Sequence, residues 1–241
     1  MTLEGKRIVI IGGATGIGFA VAEGAVAEGA EVVIGSSRPA NVQAAVEKLG
    51  NKASGHPVDV RVETEVESYF GWVGAFDHLV YTAGDWGGRG ARSLAETDLA
   101  RAADLYAVRH WGALAAVKHG APRLRGGGSI VLTNGMIAHR PRKGTPISTA
   151  MAGGIEHLVR GLAIDLAPIR VNAVCPGAIR TEIWNTLIPG DRDAQMRQMT
   201  AHLPLPRIGE PAEVAEAYLY LMRAGYTTGQ VLLVDGGGSL V

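Results

Sequence analysis

Among 241 residues there is a single cysteine, Cys175. No internal disulfide can form, so a reducing compartment, the cytoplasm, is the expected location. Net charge is absent too, with 23 lysines and arginines against 23 aspartates and glutamates. That balance removes the electrostatic footprint of a nucleic-acid binder or of a protein drawn to an anionic membrane. Basic residues cluster only in the short run His139 to Lys143. No apolar stretch approaches the ~20 residues needed to span a bilayer, and no cleavable leader is expected. The seven histidines are scattered without ligand spacing, so no metal site is expected. What is present is a composition 47% hydrophobic and 19% charged, with 34 glycines, which suits a globular chain with a sizeable core.

Short apolar runs alternate with helical patterns along the whole length. "RIVIIGG", "EVVIGSS", "SGHPVDV", "DHLVYTAG", "GSIVLTNG", "IRVNAVCPG" and "GQVLLVDGG" read as strands. Ile17, Val21 and Val26 have helical spacing, and further helices are expected near Ala40–Leu49, Glu63–Val73, Leu99–Pro122, Thr149–Ala167 and Pro211–Arg223. Nearly continuous apolar strands suit a sheet covered on both faces. The alternation predicts one α/β domain over residues 1–241, a Rossmann-like doubly wound parallel sheet with helices on both faces. The least regular stretch, Arg180 to Pro204, follows a strand's C-terminal end, and residues 181–204 form a candidate lid over a pocket.

"GGATGIG", Gly12 to Gly18, lies between the first strand and the first helix. Glycines there permit a tight turn, let backbone N–H groups approach a pyrophosphate and let helix pack on strand. The phosphate then sits at the positive end of a helix dipole. Ala14, Thr15 and Ile17 complete this candidate cofactor turn with Gly12, Gly16 and Gly18.

With these residues in place the chain resembles the short-chain dehydrogenase/reductase family over nearly its whole length. Gly12, Gly16 and Gly18 match that family's glycine spacing. Asp59 and Val60 match its adenine-contacting pair. Thr82, Ala83 and Gly84 look like the segment after its fourth strand. "RVNAVCPGAIRTE", Arg170 to Glu182, is similar to the segment whose Pro176, Gly177, Ile179 and Thr181 would line the nicotinamide side. "LLVDGGG" closes the chain as the family does.

The end of the second strand bears on which dinucleotide binds. An acidic residue there would hydrogen-bond a ribose 2′-hydroxyl and repel a 2′-phosphate. This chain has Ser36, Ser37 and Arg38, groups suited to a phosphate's oxygens. NADP(H) is therefore expected, with NAD(H) the alternative.

The resemblance also implies a proton relay, and the chain lacks it. The family uses a Tyr-xxx-Lys pair at the start of the long helix, helped by a serine after strand five and an asparagine in the preceding helix. The lysine lowers the tyrosine's pKa so that it can exchange a proton near neutrality. Anchored on the downstream segment, the tyrosine position falls on Ser148 and the lysine position on Ala152. The serine position falls on Gly135 and the asparagine position near Ala107. "PISTAMAGGIEHLVRGLA", Pro146 to Ala163, contains no tyrosine or lysine, and none of the six tyrosines elsewhere is followed by a lysine at that spacing. Ser148 has a shorter reach than a phenol and nothing beside it to acidify its hydroxyl, and it reads best as the cap of a helix starting near Thr149.

Three catalytic candidates remain: Ser148, Tyr81 at the end of strand four, and His139 on the loop after strand five. Imidazole is the side chain whose ordinary titration spans neutrality, although the His139 to Lys143 run reads first as a solvated basic surface. Tyr81 reads first as structural, and Cys175 and His157 as packed residues. Trp111 and Trp184 are read either as pocket lining or as core. Asp85 and Trp86 open the loop after strand four. An atypical NADP(H)-dependent oxidoreductase acting on a small imine, ketone or enone is expected, and a non-redox nucleotide-binding sensor or partner subunit is the alternative. The resemblance further implies a homodimer or homotetramer formed through the two long helices.

Overall fold

The computed structural model describes residues 2–84, 94–182, 184 and 192–241. Its strands are β1 (Arg7–Ile11), β2 (Glu31–Ser36), β3 (Ala53–Pro57), β4 (Phe76–Tyr81), β5 (Leu124–Thr133), β6 (Arg170–Pro176) and β7 (Val231–Val234). They form one sheet in the order β3-β2-β1-β4-β5-β6-β7, with every neighbouring pair parallel. Ile10 stands opposite Ile34 on one side and Val80 on the other.

Parallel strands need crossovers, and the helices supply them on both faces. They are α1 (Gly16–Ala27), α2 (Pro39–Leu49), α3 (Glu63–Val73), α4 (Leu99–Tyr106), α5 (Ala113–Gly120), α6 (Pro146–Asp165), α7 (Arg192–Thr200) and α8 (Pro211–Arg223). Successive residues of a strand face opposite ways, so β1 feeds two cores. Ile8 and Ile10 join Val21 of α1 and Tyr218 of α8 on one face. Val9 and Ile11 join Phe70 of α3, Val117 of α5 and Val159 of α6 on the other. This two-sided burial is why β1 carries no polar residue after Arg7.

Three expectations change. The helix expected over Leu99–Pro122 is interrupted: α4 passes into a π turn, Ala107–Gly112, before α5 resumes. The helix expected from Thr149 starts at Pro146, whose fixed φ and missing N–H suit a first helical turn, with Thr145 as the N-cap residue. Ser148 is therefore inside the first turn and does not cap the helix. The irregular stretch 181–204 contains α7; residues 183 and 185–191 of the candidate lid lie outside the described residues.

At the N-terminal edge of the sheet the polar groups serve the scaffold. Arg170 donates to the carbonyls of Leu221 (2.7 Å), Met222 (2.8 Å) and Ala224 (2.8 Å), satisfying the C-terminus of α8. His78 is buried against Ser129, with ring nitrogen and hydroxyl 2.9 Å apart. The chain leaves β1 toward β2 on one side, and β4 lies on the other. That reversal opens a crevice above the C-terminal ends of β1 and β4, where open α/β sheets bind ligands.

Candidate active site

The crevice has a tightly built side, formed by the Gly12–Gly18 turn. Gly12 has φ +88°, and a Cβ on it would overlap the amide nitrogen of Ala83. A Cβ on Gly18 would overlap the carbonyl oxygen of Gly12. Both positions therefore require glycine, because turn, helix and neighbouring loop meet at backbone distance. Thr82 closes the floor: its N–H donates to the Ile11 carbonyl at 2.8 Å, and Ala83 donates to the same oxygen at 3.1 Å. Helix α1 opens behind an extended Thr15 whose side chain makes no capping bond. The N–H groups of its first turn thus lack a side-chain cap, which fits a pyrophosphate. Ala14 is buried, and Ile17 packs on the α1-side core.

The remaining cofactor candidates converge on this turn. Ser36 ends β2, Ser37 follows it exposed, and Arg38 is the N-cap residue of α2, also exposed. Val58 N–H donates to the Ser36 carbonyl at 3.0 Å, bringing Asp59 and Val60 beside that strand end. Val60 is buried under the π turn, against Gly112. Asp59 is gripped by Arg61, whose Nη2 donates to Oδ2 at 2.6 Å, and this bond holds the Asp59 carboxyl below its usual range. The sequence reading did not single out Arg61. After β6, Pro176 and Gly177 run past β7, with the Gly177 N–H donating to the Val234 carbonyl at 2.9 Å. Ile179 is buried and bridges to Gly209. Thr181 comes back over the glycine turn, its Cγ2 3.1 Å from where a Gly16 Cβ would stand.

The other side of the crevice, between β5 and α6, is built differently. Gly135, Ser148 and Ala152 occupy the expected relay positions, and Ala107 begins the π turn. Ala152 is buried and Ser148 half-buried. Tyr81 is excluded as an acid: it is buried, its hydroxyl donates to the Val108 carbonyl, and burial pushes its pKa up. Cys175 is likewise inert, its thiol pushed up to about 12 chiefly by burial.

His139 does not behave as a solvated loop residue. Its Nε2 lies 2.8 Å from Oε1 of Glu156. The same oxygen accepts a hydrogen bond from Asn134 Nδ2 at 2.8 Å. Asn134 is fully buried and directly precedes Gly135, while its N–H donates to the Val174 carbonyl. Glu156 is one helical turn beyond Ala152 on α6, so the three residues join the end of β5 to that helix. The sequence reading missed Glu156 and Asn134.

It also misplaced two aromatic neighbours. His157 is exposed, with its ring folded back on the Gly153 carbonyl, because it points away from the face that buries Ile155 and Val159. Trp111 is 67% exposed and lines no core. Trp184 donates its indole N–H to the Ile179 carbonyl. From the π turn, Arg109 is buried, and its Nη2 would lie 2.5 Å from a Cβ on Gly84. Asp85 and Trp86 lie outside the described residues. Among the described residues no three His, Cys, Asp or Glu side chains group as a metal site, and no helix is long and apolar enough to cross a membrane.

Comparison with known proteins places this geometry in context. The sequence model described as Enoyl-(Acyl carrier protein) reductase matches residues 12–239. The chain is similar to the short-chain dehydrogenase/reductase ATR9 of Stachybotrys chlorohalonatus, 36% identical with 99% of each chain covered. It is also similar to a crystal structure of a small-chain dehydrogenase in complex with NADPH. That likeness has a TM-score of 0.82 and 33% identity, over 99% of this chain and 100% of the other. An NADPH-bound short-chain oxidoreductase of Pseudomonas aeruginosa PAO1, described as containing an atypical catalytic center, superimposes with a TM-score of 0.89 at 27% identity. There 97% of this chain and 96% of the other are covered.

Proposed function

Because the chain belongs to the short-chain dehydrogenase/reductase family of oxidoreductases, we propose that it binds NADP(H) in the crevice and reduces or oxidises a small organic substrate without a tyrosine–lysine relay. The carrying observation is the closure of the Gly12–Gly18 turn against Ala83 on one side and Thr181 on the other. The uncapped first turn of α1 would hold the pyrophosphate. Ser36, Ser37 and Arg38 would hold the 2′-phosphate, where a carboxylate would repel it. Asp59 and Val60 would meet the adenine. Thr82, Ala83 and Gly84 would floor the pocket, with Pro176, Gly177, Ile179 and Thr181 beside the nicotinamide. NADP(H), when bound, supplies the hydride, and the chain's task is to orient the acceptor carbon and manage charge on the atom bonded to it. NAD(H) is the weaker ligand in this reading.

Imines, ketones and enones are the substrate classes to try, because an iminium already carries its proton and an enone yields an oxyanion of lower basicity than a ketone does. NADPH consumption on a panel of the three tests the proposal. Turnover of at least one class is expected, and tight NADPH binding with no consumption across the panel defeats it. That second result would favour a nucleotide-binding sensor or partner subunit, a reading motivated by Gly135, Ser148 and Ala152 standing at the relay positions.

We further propose a cytoplasmic homodimer or homotetramer, for which Leu99 and Trp111 of the α4–α5 segment and Ile164 of α6 offer exposed apolar surface. A monomer in light scattering at micromolar concentration would remove it.

A further inference from the structure

The chain carries an imidazole–carboxylate pair that joins the loop after β5 to α6, the two segments bearing the expected relay positions Gly135, Ser148 and Ala152. Ser148, Ala152 and Glu156 follow at four-residue steps on α6 and so form a narrow stripe along one side of it. His139 reaches that stripe from the loop after β5, four residues beyond Gly135, and meets Glu156 at 2.8 Å. A step of four helical residues is about 6 Å, which sets His139 one turn along from Ala152, where the family's lysine would stand. The carboxylate is only 15% exposed and the imidazole 29%, so the pair is sheltered while one edge of the ring still meets solvent.

We propose that His139 is the proton-handling residue of this site and that Glu156, fixed by Asn134, is its positioning residue. The inference rests on the oxidoreductase reading above and deepens it. The bond to Glu156 leaves the proton on Nε2 and makes Nδ1 the exchanging nitrogen. In reduction, hydride arrives at the acceptor carbon and the π pair of its C=O or C=N bond moves to the heteroatom. That atom takes the proton from Nδ1 of the imidazolium. The ring is left neutral, still donating from Nε2 to Glu156, and is reprotonated from solvent. The consumed species are substrate, NADPH and one proton; the products are the reduced substrate and NADP+. A third group that orients a base is the logic of catalytic triads, here applied to a donor.

Arg140, Arg142 and Lys143 share the His139 loop, Arg109 comes from the π turn, and the His110 ring of that turn packs on α6 at Gly154. Glu156 is the charged group in direct contact with the His139 ring.

The test uses the whole chain with NADPH and phenanthrenequinone, an activated diketone, and compares wild type with His139→Gln, His139→Ala and Glu156→Gln. NADPH affinity and thermal melting of each variant establish that it is folded. His139→Gln is expected to lower kcat about 100-fold with KM for NADPH unchanged and to flatten the pH profile. Added imidazole should partly restore His139→Ala, and Glu156→Gln should fall between wild type and His139→Gln. A downfield imidazole N–H proton resonance in wild type, lost in Glu156→Gln, is the spectroscopic signature of the pair. Wild-type kcat and pH profile in His139→Gln would overturn the proposal alone and leave a structural clamp. Absence of that resonance in wild type would also overturn it. NADPH binding without turnover of the diketone would overturn it together with the oxidoreductase reading, and absence of NADPH binding would defeat the cofactor assignment first.

Discussion

On the β1 side of the crevice, a methyl group added at Gly12 or Gly18 would overlap backbone atoms of Ala83 or of Gly12 itself. On the α6 side, Gly135, Ser148 and Ala152 bring no phenol or amine, and the polar contacts there are those of Glu156 with His139 and Asn134. The first side is fixed by steric necessity at Gly12 and Gly18, since turn, helix and neighbouring loop meet there at backbone distance. The second side needs only some group of suitable charge near the acceptor atom.

Substitution on the rigid side should produce the largest effect. Gly12→Val would overlap the Ala83 amide at a residue with φ +88°. NADPH affinity is expected to fall about 1,000-fold, or about 4 kcal/mol, in a fluorescence titration; a Kd within a few-fold of wild type would contradict that rigidity.

Acid should then separate scaffold from site. Burial lowers the His78 pKa from 6.5 to about 4, so the unfolded chain binds more protons across that interval. The stability from keeping His78 neutral is complete above about pH 6.5 and is lost as pH falls toward about 4. It amounts to about 3 kcal/mol at most for a group this buried. Urea unfolding at descending pH in wild type and His78→Asn measures it, and equal slopes in the two proteins would refute the assignment.

A smaller effect is expected at the edge of the rigid side. Arg38→Ala should weaken NADPH about 10-fold, about 1.4 kcal/mol, and leave NADH unchanged; equal losses for both nucleotides would mean that Arg38 does not read the 2′-phosphate. Smaller again, Tyr81→Phe forfeits the bond to the Val108 carbonyl and should cost about 1 kcal/mol of stability, with kcat retained. Loss of activity in a stable Tyr81→Phe protein would return Tyr81 to the chemistry.

The same contrast governs what could be read from sequence. The strands were visible because both faces of each central strand are buried, which leaves continuous apolar runs such as Ile8 to Ile11. Helix α3 was visible from end to end, Glu63 to Val73, because Glu63 and Glu65 suit its first turn and Gly74, with φ +71°, ends it. The glycine turn was legible because close backbone contact admits one residue type. The π turn was hidden, since Ala107 to Gly112 has no local signal distinct from a continuing helix. The start of α6 was misplaced because Ser148 is a residue type common at N-caps, whereas here Pro146 opens the helix behind Thr145. The His139–Glu156 pair depends on a loop folding back across seventeen residues of chain, which periodicity does not encode. His157, expected to be packed, is one residue from Glu156, but a helix turns by about 100° per residue, so His157 faces solvent while Glu156 meets Asn134 at the end of β5.

The central claim is that the turn beginning at Gly12 grips the pyrophosphate of a pyridine nucleotide. Calorimetric titration tests it without reference to any substrate. Saturable heat with NADPH at one nucleotide per chain, and weaker heat with NADH, is the predicted result. No heat from either nucleotide would contradict the account at its base.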